Sequence, residues 1–362
     1  MRDITQIRSD LPALAALTYL NSGTAGPLPR ASVDAMVEAL EMDAVRGRVS
    51  SRRFSKIART TDTARRAIAD LVGTEPENVV LTCGTTDGLD RALSSIAWAA
   101  GDRIVTTDAE HPDAVHLLEH LRDEHAVDVV TVSHTAEPLL GKATLQGAVT
   151  PGVRAVLLSH ISYSTGVILP VEDIVKQAHS VGAVVIVDGA QAVGALNVDT
   201  ARIGADFYAF SGHKWLLGPE GTGALILGPR AHTTSAQRQE RTSNLLLTGL
   251  LAALEWRTAL GTESEVAAAI EHRAEQAREG LAGIPAVTVV TPHEHAGLVA
   301  FHIDGIDAES AATELGRHRI ATRAVADGRS VRAAFSFFTT DEEIDSFVAA
   351  VTTMAAAERT AR

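Results

Sequence analysis

Three segments of this 362-residue chain place reactive groups directly after short aliphatic runs. Asp188 closes Val184-Val185-Ile186-Val187-Asp188 and leads into Gly189-Ala190-Gln191; a carboxylate there is costly unless a cation or donor partners it, and capping of the next element is the plainer use. Lys214 follows another apolar run in Ser211-Gly212-His213-Lys214-Trp215. Lysine is usually a surface charge, but taken out of water its amine loses basicity and can form a Schiff base with a carbonyl. The third segment, Leu81-Thr82-Cys83-Gly84-Thr85-Thr86-Asp87-Gly88, sets glycine and two hydroxyls between a strand and a helix. That arrangement either cradles a phosphate or simply caps a helix. Together the segments ask for a ligand with a phosphate, a carbonyl for Lys214 and a basic nitrogen for Asp188. Pyridoxal 5′-phosphate has all three.

These residues need a scaffold that lines them up. Short runs apolar on both faces, Val79 to Thr82, Ile104 to Thr106, Val127 to Val132, Ala155 to Leu158, Val184 to Val187, Phe207 to Phe210 and Ala224 to Leu227, alternate with helical stretches. The helices are Thr86 to Ala99, Pro112 to Glu124 and Val171 to Ser180. This pattern predicts an α/β fold, a doubly wound and mostly parallel sheet buried on both faces, with its ligand at the carboxyl ends of the strands. After residue 245 the pattern changes to helices Leu245 to Leu260 and Glu263 to Leu281. Alternating segments Ala286 to Val290, Leu298 to Ile303, Ile320 to Val325 and Val331 to Phe337 follow, then a last helix from Asp341 to Ala357 with Thr340 as N-cap. The expected organisation is an N-terminal segment, 1–20, packing on a smaller C-terminal α+β domain, 245–362, which includes an interdomain helix; the large cofactor-binding domain is 21–244.

Composition narrows the partners. With 32 Lys plus Arg against 45 Asp plus Glu, net charge −13, the chain lacks the basic footprint of a nucleic-acid binder. The opening residues carry no apolar leader and the longest aliphatic run, Ala183 to Val187, is far short of the ~20 residues of a membrane span; a soluble, cytoplasmic protein is expected. A single cysteine, Cys83, excludes an internal disulfide framework and multi-thiolate zinc sites, and is expected to be a small buried hydrophobe. His116-Leu117-Leu118-Glu119-His120 has the order of an inverted zinc motif without a third ligand, so a solvated helix face and no metal site are expected. Gly218-Pro219-Glu220-Gly221-Thr222-Gly223 precedes a strand instead of following one and reads as a turn.

Asp188-Gly189-Ala190-Gln191-Ala192 followed by Ser211-Gly212-His213-Lys214 resembles the class V aminotransferase family of fold-type I pyridoxal-phosphate enzymes, in particular its cysteine desulfurase, carbon–sulfur lyase and isopenicillin N epimerase branches. The likeness runs over nearly the whole chain. It implies Lys214 as the covalent cofactor lysine, Asp188 on the pyridine nitrogen, Gln191 near the ring hydroxyl, and Thr85, Thr86, Ser211 and His213 at the phosphate. It further implies that His111, in Asp108-Ala109-Glu110-His111-Pro112, stacks on the ring and relays protons. Thr242 corresponds to a residue that reaches the partner subunit's phosphate, which implies a homodimer. Arg323 and Arg332 lie in two family arginine segments, the second being the usual binder of a substrate α-carboxylate; the register is fixed by Thr339-Thr340-Asp341-Glu342-Glu343.

Three departures qualify the likeness. Ala326-Asp327-Gly328-Arg329-Ser330 between the arginine segments holds no thiol, where desulfurases carry their nucleophilic cysteine. The family's ring-hydroxyl asparagine is absent from His160 to Gly166, leaving Tyr163 or Ser164 as substitutes, and the 229–241 loop is short. The resemblance thus implies an amino-acid substrate and, in order, a carbon–sulfur lyase releasing pyruvate and ammonia, an epimerase or racemase, or an aminotransferase. A persulfide-forming desulfurase and a non-catalytic cofactor-binding protein are the disfavoured readings.

Overall fold

The computed structural model describes residues 1–133, 144–233 and 242–361. Its centre is a seven-stranded sheet in the order β2-β8-β7-β6-β5-β3-β4, built from Val79–Thr82 (β2), Arg103–Thr107 (β3), Asp128–Val132 (β4), Val153–Ser159 (β5), Val184–Asp188 (β6), Phe207–Ser211 (β7) and Gly223–Leu227 (β8). All neighbours pair in parallel except β8, which runs antiparallel to both β2 and β7. The aliphatic runs are buried on both sides because successive residues face opposite helix layers. Leu157 and Ile186 pack with Leu89 and Leu118 of helices Thr85–Ser94 and Pro112–His125. Val156, Val185 and Val187 pack with Ile68, Ile174 and Leu250 of helices Ser51–Val72, Val171–Ser180 and Asn244–Thr258.

The C-terminal part forms a four-stranded antiparallel sheet, β12-β13-β10-β9, from Val287–Val289 (β9), Leu298–Ile303 (β10), Arg323–Ala324 (β12) and Val331–Ala334 (β13). Phe301, Phe335 and Phe347 form its core with the helices Glu263–Ala282, Ala308–Arg317 and Asp341–Ala361. The last helix begins with a capping box: Thr340 Oγ1 accepts the Glu343 N–H at 3.2 Å while the Glu343 carboxylate accepts the Thr340 N–H at 3.0 Å. The N-terminal residues touch both parts. Thr18–Tyr19 (β1) pairs in parallel with Ile320–Ala321 (β11), Arg8 bonds Glu343 at 2.8 Å, and Ile7, Leu11 and Leu14 join the larger core.

The strand expected over Val331 to Phe337 ends at Ala334 and the last helix runs on to Ala361, and two further elements differ from the sequence expectation, each for a local reason. The helix expected over Thr86 to Ala99 ends at Ser94, where the Ser95 hydroxyl and the Trp98 indole donate to the carbonyls of Ala92 and Leu93. The alternating run Ile320 to Val325 divides at Thr322, because Ile320-Ala321 pairs with Thr18-Tyr19 whereas Arg323-Ala324 pairs with Arg332-Val331. No helix among the described residues is long and apolar enough to cross a membrane.

Candidate active site

A cavity opens at the carboxyl edge of the large sheet, closed on one side by the small sheet. Its floor is Asp188, 6% exposed, whose Oδ1 accepts the Ala190 N–H at 2.8 Å. Burial raises its pKa, the Lys214 ammonium pulling the other way. Lys214 faces it half-buried, with its amine brought down to about 8 by burial, Asp188 opposing and Arg332 assisting. The turn that presents the lysine is fixed from behind. Arg257 donates to the carbonyls of Trp215 at 3.1 Å and Gly194 at 2.8 Å and pairs with Glu263 at 2.7 Å. The Trp215 indole N–H donates to Gln191 Oε1 at 2.9 Å, and Gln191 Nε2 donates to the Gly23 carbonyl at 2.8 Å.

At one end of the cavity the helix Thr85–Ser94 points its first turn at Ser211. The Ser211 hydroxyl lies 2.9 Å from the Thr85 amide and 2.7 Å from its hydroxyl. Backbones close in tightly here: a side chain on Gly223 would lie 2.7 Å from Gly84 Cα, and Gly84 itself has φ 153°. Nearby, the buried His213 Nδ1 finds no partner among the described residues. Thr86 gives its hydroxyl to the Asp113 carboxylate at 3.0 Å.

On the opposite flank His111 caps the helix Pro112–His125, its Nδ1 accepting the Asp113 N–H at 3.3 Å, and sets its ring edge-on to Tyr163 at 5.0 Å. Burial, with Lys214 next, brings its pKa down to about 4, so the imidazole is neutral near pH 7. Arg332, 3% exposed, donates to the Tyr163 carbonyl and to Thr24 Oγ1, both at 2.9 Å, while its buried Nε has no partner among the described residues. Burial and the neighbouring Arg323 bring it down to about 10. Arg323, exposed, shares the same Thr24 hydroxyl at 3.3 Å. Two guanidinium groups on one neutral hydroxyl leave donors for an anion.

The cavity therefore gathers Lys214, Asp188, Gln191, His111, Thr85, Thr86, Ser211, His213, Arg323 and Arg332. Thr242 is half-buried and outside the lining; most of the 229–241 loop, residues 234–241, lies outside the described residues. Tyr163, not Ser164, lines the cavity, Ser164 Oγ sitting 3.1 Å from Ser162 Oγ. One expectation is corrected: Cys83 is exposed, not buried. It follows the last residue of β2, where the chain turns outward and the Asp87 carboxylate holds its N–H at 2.9 Å. His116, Glu119 and His120 are all on the solvent face of their helix.

Sequence reasoning missed Gly23, Thr24, Asp113 and Glu110. The small residues at 23–24 come from a loop with no strand before it and gave no signal. Glu110 was findable, since it follows β3 at the same carboxyl edge as Asp188.

A lysine of lowered basicity, a buried acid opposite it, a helix N-terminus flanked by the hydroxyls of Thr85, Thr86 and Ser211, and a histidine nitrogen without a partner among the described residues fit pyridoxal phosphate. The family model for aminotransferase class V matches residues 18–239 and 237–347. A probable cysteine desulfurase of Mycolicibacterium paratuberculosis is 30% identical over 96% of this chain, which spans 58% of that relative's length. The isopenicillin N epimerase of Streptomyces clavuligerus is 28% identical over 90% of this chain and 92% of its own. Among solved structures, a mutant of C-DES with glycine covalently linked to its pyridoxal-phosphate cofactor superposes with a TM-score of 0.89 at 28% identity, covering 97% of this chain and 99% of that one. The cystine C–S lyase C-DES in complex with its product cysteine persulfide gives 0.88 at 29% identity, over 94% and 99%. The chain belongs to the class V aminotransferase family and is a pyridoxal-phosphate-dependent enzyme.

Proposed function

We propose that this enzyme is a carbon–sulfur lyase that cleaves the Cβ–S bond of a cysteine-type substrate, with water converting the three-carbon fragment to pyruvate and ammonia while the sulfur leaves as a thiol or persulfide. The observation that carries this is the joining of Lys214, Asp188 and two arginines in a cavity to which the chain's single cysteine does not contribute: Cys83 is exposed and outside the lining. The turn where a sulfur-accepting thiol would sit is tied down by Asp327, which accepts the N–H groups of Arg329 at 2.9 Å and Ser330 at 2.8 Å. Without a thiol to take the sulfur as a protein persulfide, elimination is the sulfur chemistry that remains.

Pyridoxal phosphate, when bound, supplies an electron-withdrawing ring that acidifies the substrate α-carbon. Lys214 would hold it covalently, Asp188 would keep its ring nitrogen protonated, Gln191 would sit near its ring hydroxyl, and Thr85, Thr86, Ser211 and His213 would hold its phosphate. Arg332 takes the substrate α-carboxylate in its planar fork, with Arg323 free for a second anionic group. The Lys214 amine, of basicity near neutral pH, removes the α-proton. His111, neutral and with Nδ1 accepting the Asp113 N–H, presents Nε2–H as a hydrogen-bond donor to the departing sulfur, which takes its proton from water. Epimerisation is the second reading, favoured by the Streptomyces relative and by Tyr163 as a further titratable group beside His111. A homodimer completes the proposal: Val37, Leu40 and Val45 stand exposed on the helix Arg30–Arg46, and a second copy would cover them and bring Thr242 to the other site.

The test is an absorbance scan of the purified protein before and after borohydride, then pyruvate assays with cystine, S-substituted cysteines and a panel of L-amino acids. The lyase predicts a visible band that borohydride fixes onto Lys214, with pyruvate from sulfur-bearing substrates only. A band without pyruvate, with loss of optical activity, would move the assignment to epimerase.

A further inference from the structure

The carboxyl edge of the sheet holds a second buried acid that the proposed chemistry does not use. Glu110 is 4% exposed, and its two carboxyl oxygens lie 2.6 Å from Thr107 Oγ1 and 2.6 Å from Ser159 Oγ. Thr107 ends β3 and Ser159 ends β5, so one carboxyl ties together two adjacent strand ends. Ser159 stands level with Asp188 on β6 and lines the cavity. The residue after Glu110 is His111.

We propose that Glu110 is a positioning residue, holding His111 over the cavity through its clamp on Thr107 and Ser159 and, when it deprotonates, adding a second negative charge beside Asp188 at the cavity floor. Two buried carboxyls close enough to interact do not ionise independently. Burial, reinforced by Asp188, moves Glu110 up to about 7 despite the two hydroxyl donors. Glu110 is faced by Asp188 from β6 and by the hydroxyls from β3 and β5. Asp188 is in turn faced by Lys214 and, from the His111 helix, Asp113. His160, after β5, and Tyr208, on β7, are bonded to each other at 2.8 Å and neutral, because burial holds the imidazole down to about 4 and the phenol well above its usual range. Glu110 is therefore a group near Asp188 able to change charge around neutral pH, and the inference holds whichever reaction the site performs.

The sign follows from the raised carboxyl. Below its unfolded pKa Glu110 is neutral in both states; between that value and the raised folded one only the unfolded chain is ionised, so stability falls as pH rises, and the loss is complete above the folded value. Glu110→Gln, which cannot ionise, should therefore gain melting temperature over wild type between pH 5 and pH 8. In the holoenzyme, removing this negative charge from beside the cavity floor should shift the midpoint of the pH-dependent visible band of the bound cofactor by about one unit, a tenfold change in proton affinity. A purely structural Glu110 would lower the melting temperature alike at both pH values and leave the midpoint in place, which overturns the proposal. Ser159→Ala keeps the acid but removes one donor, and must move the same midpoint while Glu110→Asp restores it toward wild type. An unmoved midpoint in Ser159→Ala also overturns the proposal, even if Glu110→Gln fails to fold. Since the readout is the cofactor band, it is independent of whether pyruvate is made.

Discussion

The two ends of the large sheet each carry a buried aspartate, and they are treated differently. At the amino end Asp206, 1% exposed, has one oxygen accepting the Val185 N–H at 2.8 Å and His179 Nε2 at 2.9 Å, with Arg230 3.8 Å from the other. At the carboxyl end Asp188 has one backbone donor, and its cation, Lys214, makes no direct bond to it in the structure. The arginines repeat the contrast. Arg257 spends its donors on two carbonyls and Glu263, whereas Arg332 keeps a buried Nε without a partner among the described residues. Asp206 Oδ1 also lacks a hydrogen bond among the described residues, but its carboxylate has two donors on its other oxygen and a guanidinium nearby; the scaffold gives its buried charges several partners and the site gives them fewer, which costs stability and leaves binding capacity for a ligand.

Breaking that contrast at its strongest point gives the largest effect. Asp188→Asn keeps the shape and removes the charge, and turnover should fall by roughly 10²–10³-fold, the scale of losing one aimed electrostatic partner, while the denaturant midpoint holds or rises because burial disfavoured that charge. Asp206→Asn should do the reverse. It leaves the cofactor's visible band in place and lowers stability by about 1–3 kcal/mol through a weakened hydrogen-bond set. If both variants behaved alike, in turnover or in unfolding, the division between site and scaffold would be wrong.

The arginines sharpen the comparison with a smaller effect. Arg332→Ala should raise KM for a free amino acid about 10- to 100-fold, as removal of a charged hydrogen bond worth about 1.5–3 kcal/mol requires, with the cofactor band and denaturant midpoint close to wild type. Arg323→Ala, at an exposed guanidinium, should raise KM less for small substrates than for those carrying a second carboxylate. Arg257→Met should lower the denaturant midpoint. An unchanged KM in Arg332→Ala would remove it from the carboxylate role.

Legibility in the sequence follows the same division. Strands such as Val184–Asp188 and Phe207–Ser211 were readable because a sheet covered on both faces needs continuous apolar runs, and the site residues just after them could be placed by that rule alone. The helix Arg30–Arg46 was not legible: only Ser32 along it is buried, so no apolar period marks it. The pairing of Arg323 with Arg332 through Thr24 depends on residues 299 and 308 positions apart, which only folding brings together. Cys83 was misread because a cysteine's usual burial says nothing about a turn whose backbone is already held by Asp87.

The smallest predicted effect concerns the two threonines that open the helix at Thr85. Both were expected at the phosphate, yet Thr85 is buried against Ser211 while the Thr86 hydroxyl is given to Asp113. Thr85→Ala should weaken pyridoxal phosphate binding several-fold, about the worth of one hydrogen bond, and Thr86→Ala should change it little. Asp113→Asn should tighten the phosphate form modestly, since it removes a like charge from a helix start that otherwise favours anions, and should leave the affinity for phosphate-free pyridoxal unchanged. Titrating both ligands into the cofactor-depleted protein separates the cases. Equal losses in Thr85→Ala and Thr86→Ala would mean that the Thr86 hydroxyl leaves Asp113 for the phosphate when the cofactor binds, so that this side chain belongs with the unsatisfied donors of the site and not with the scaffold.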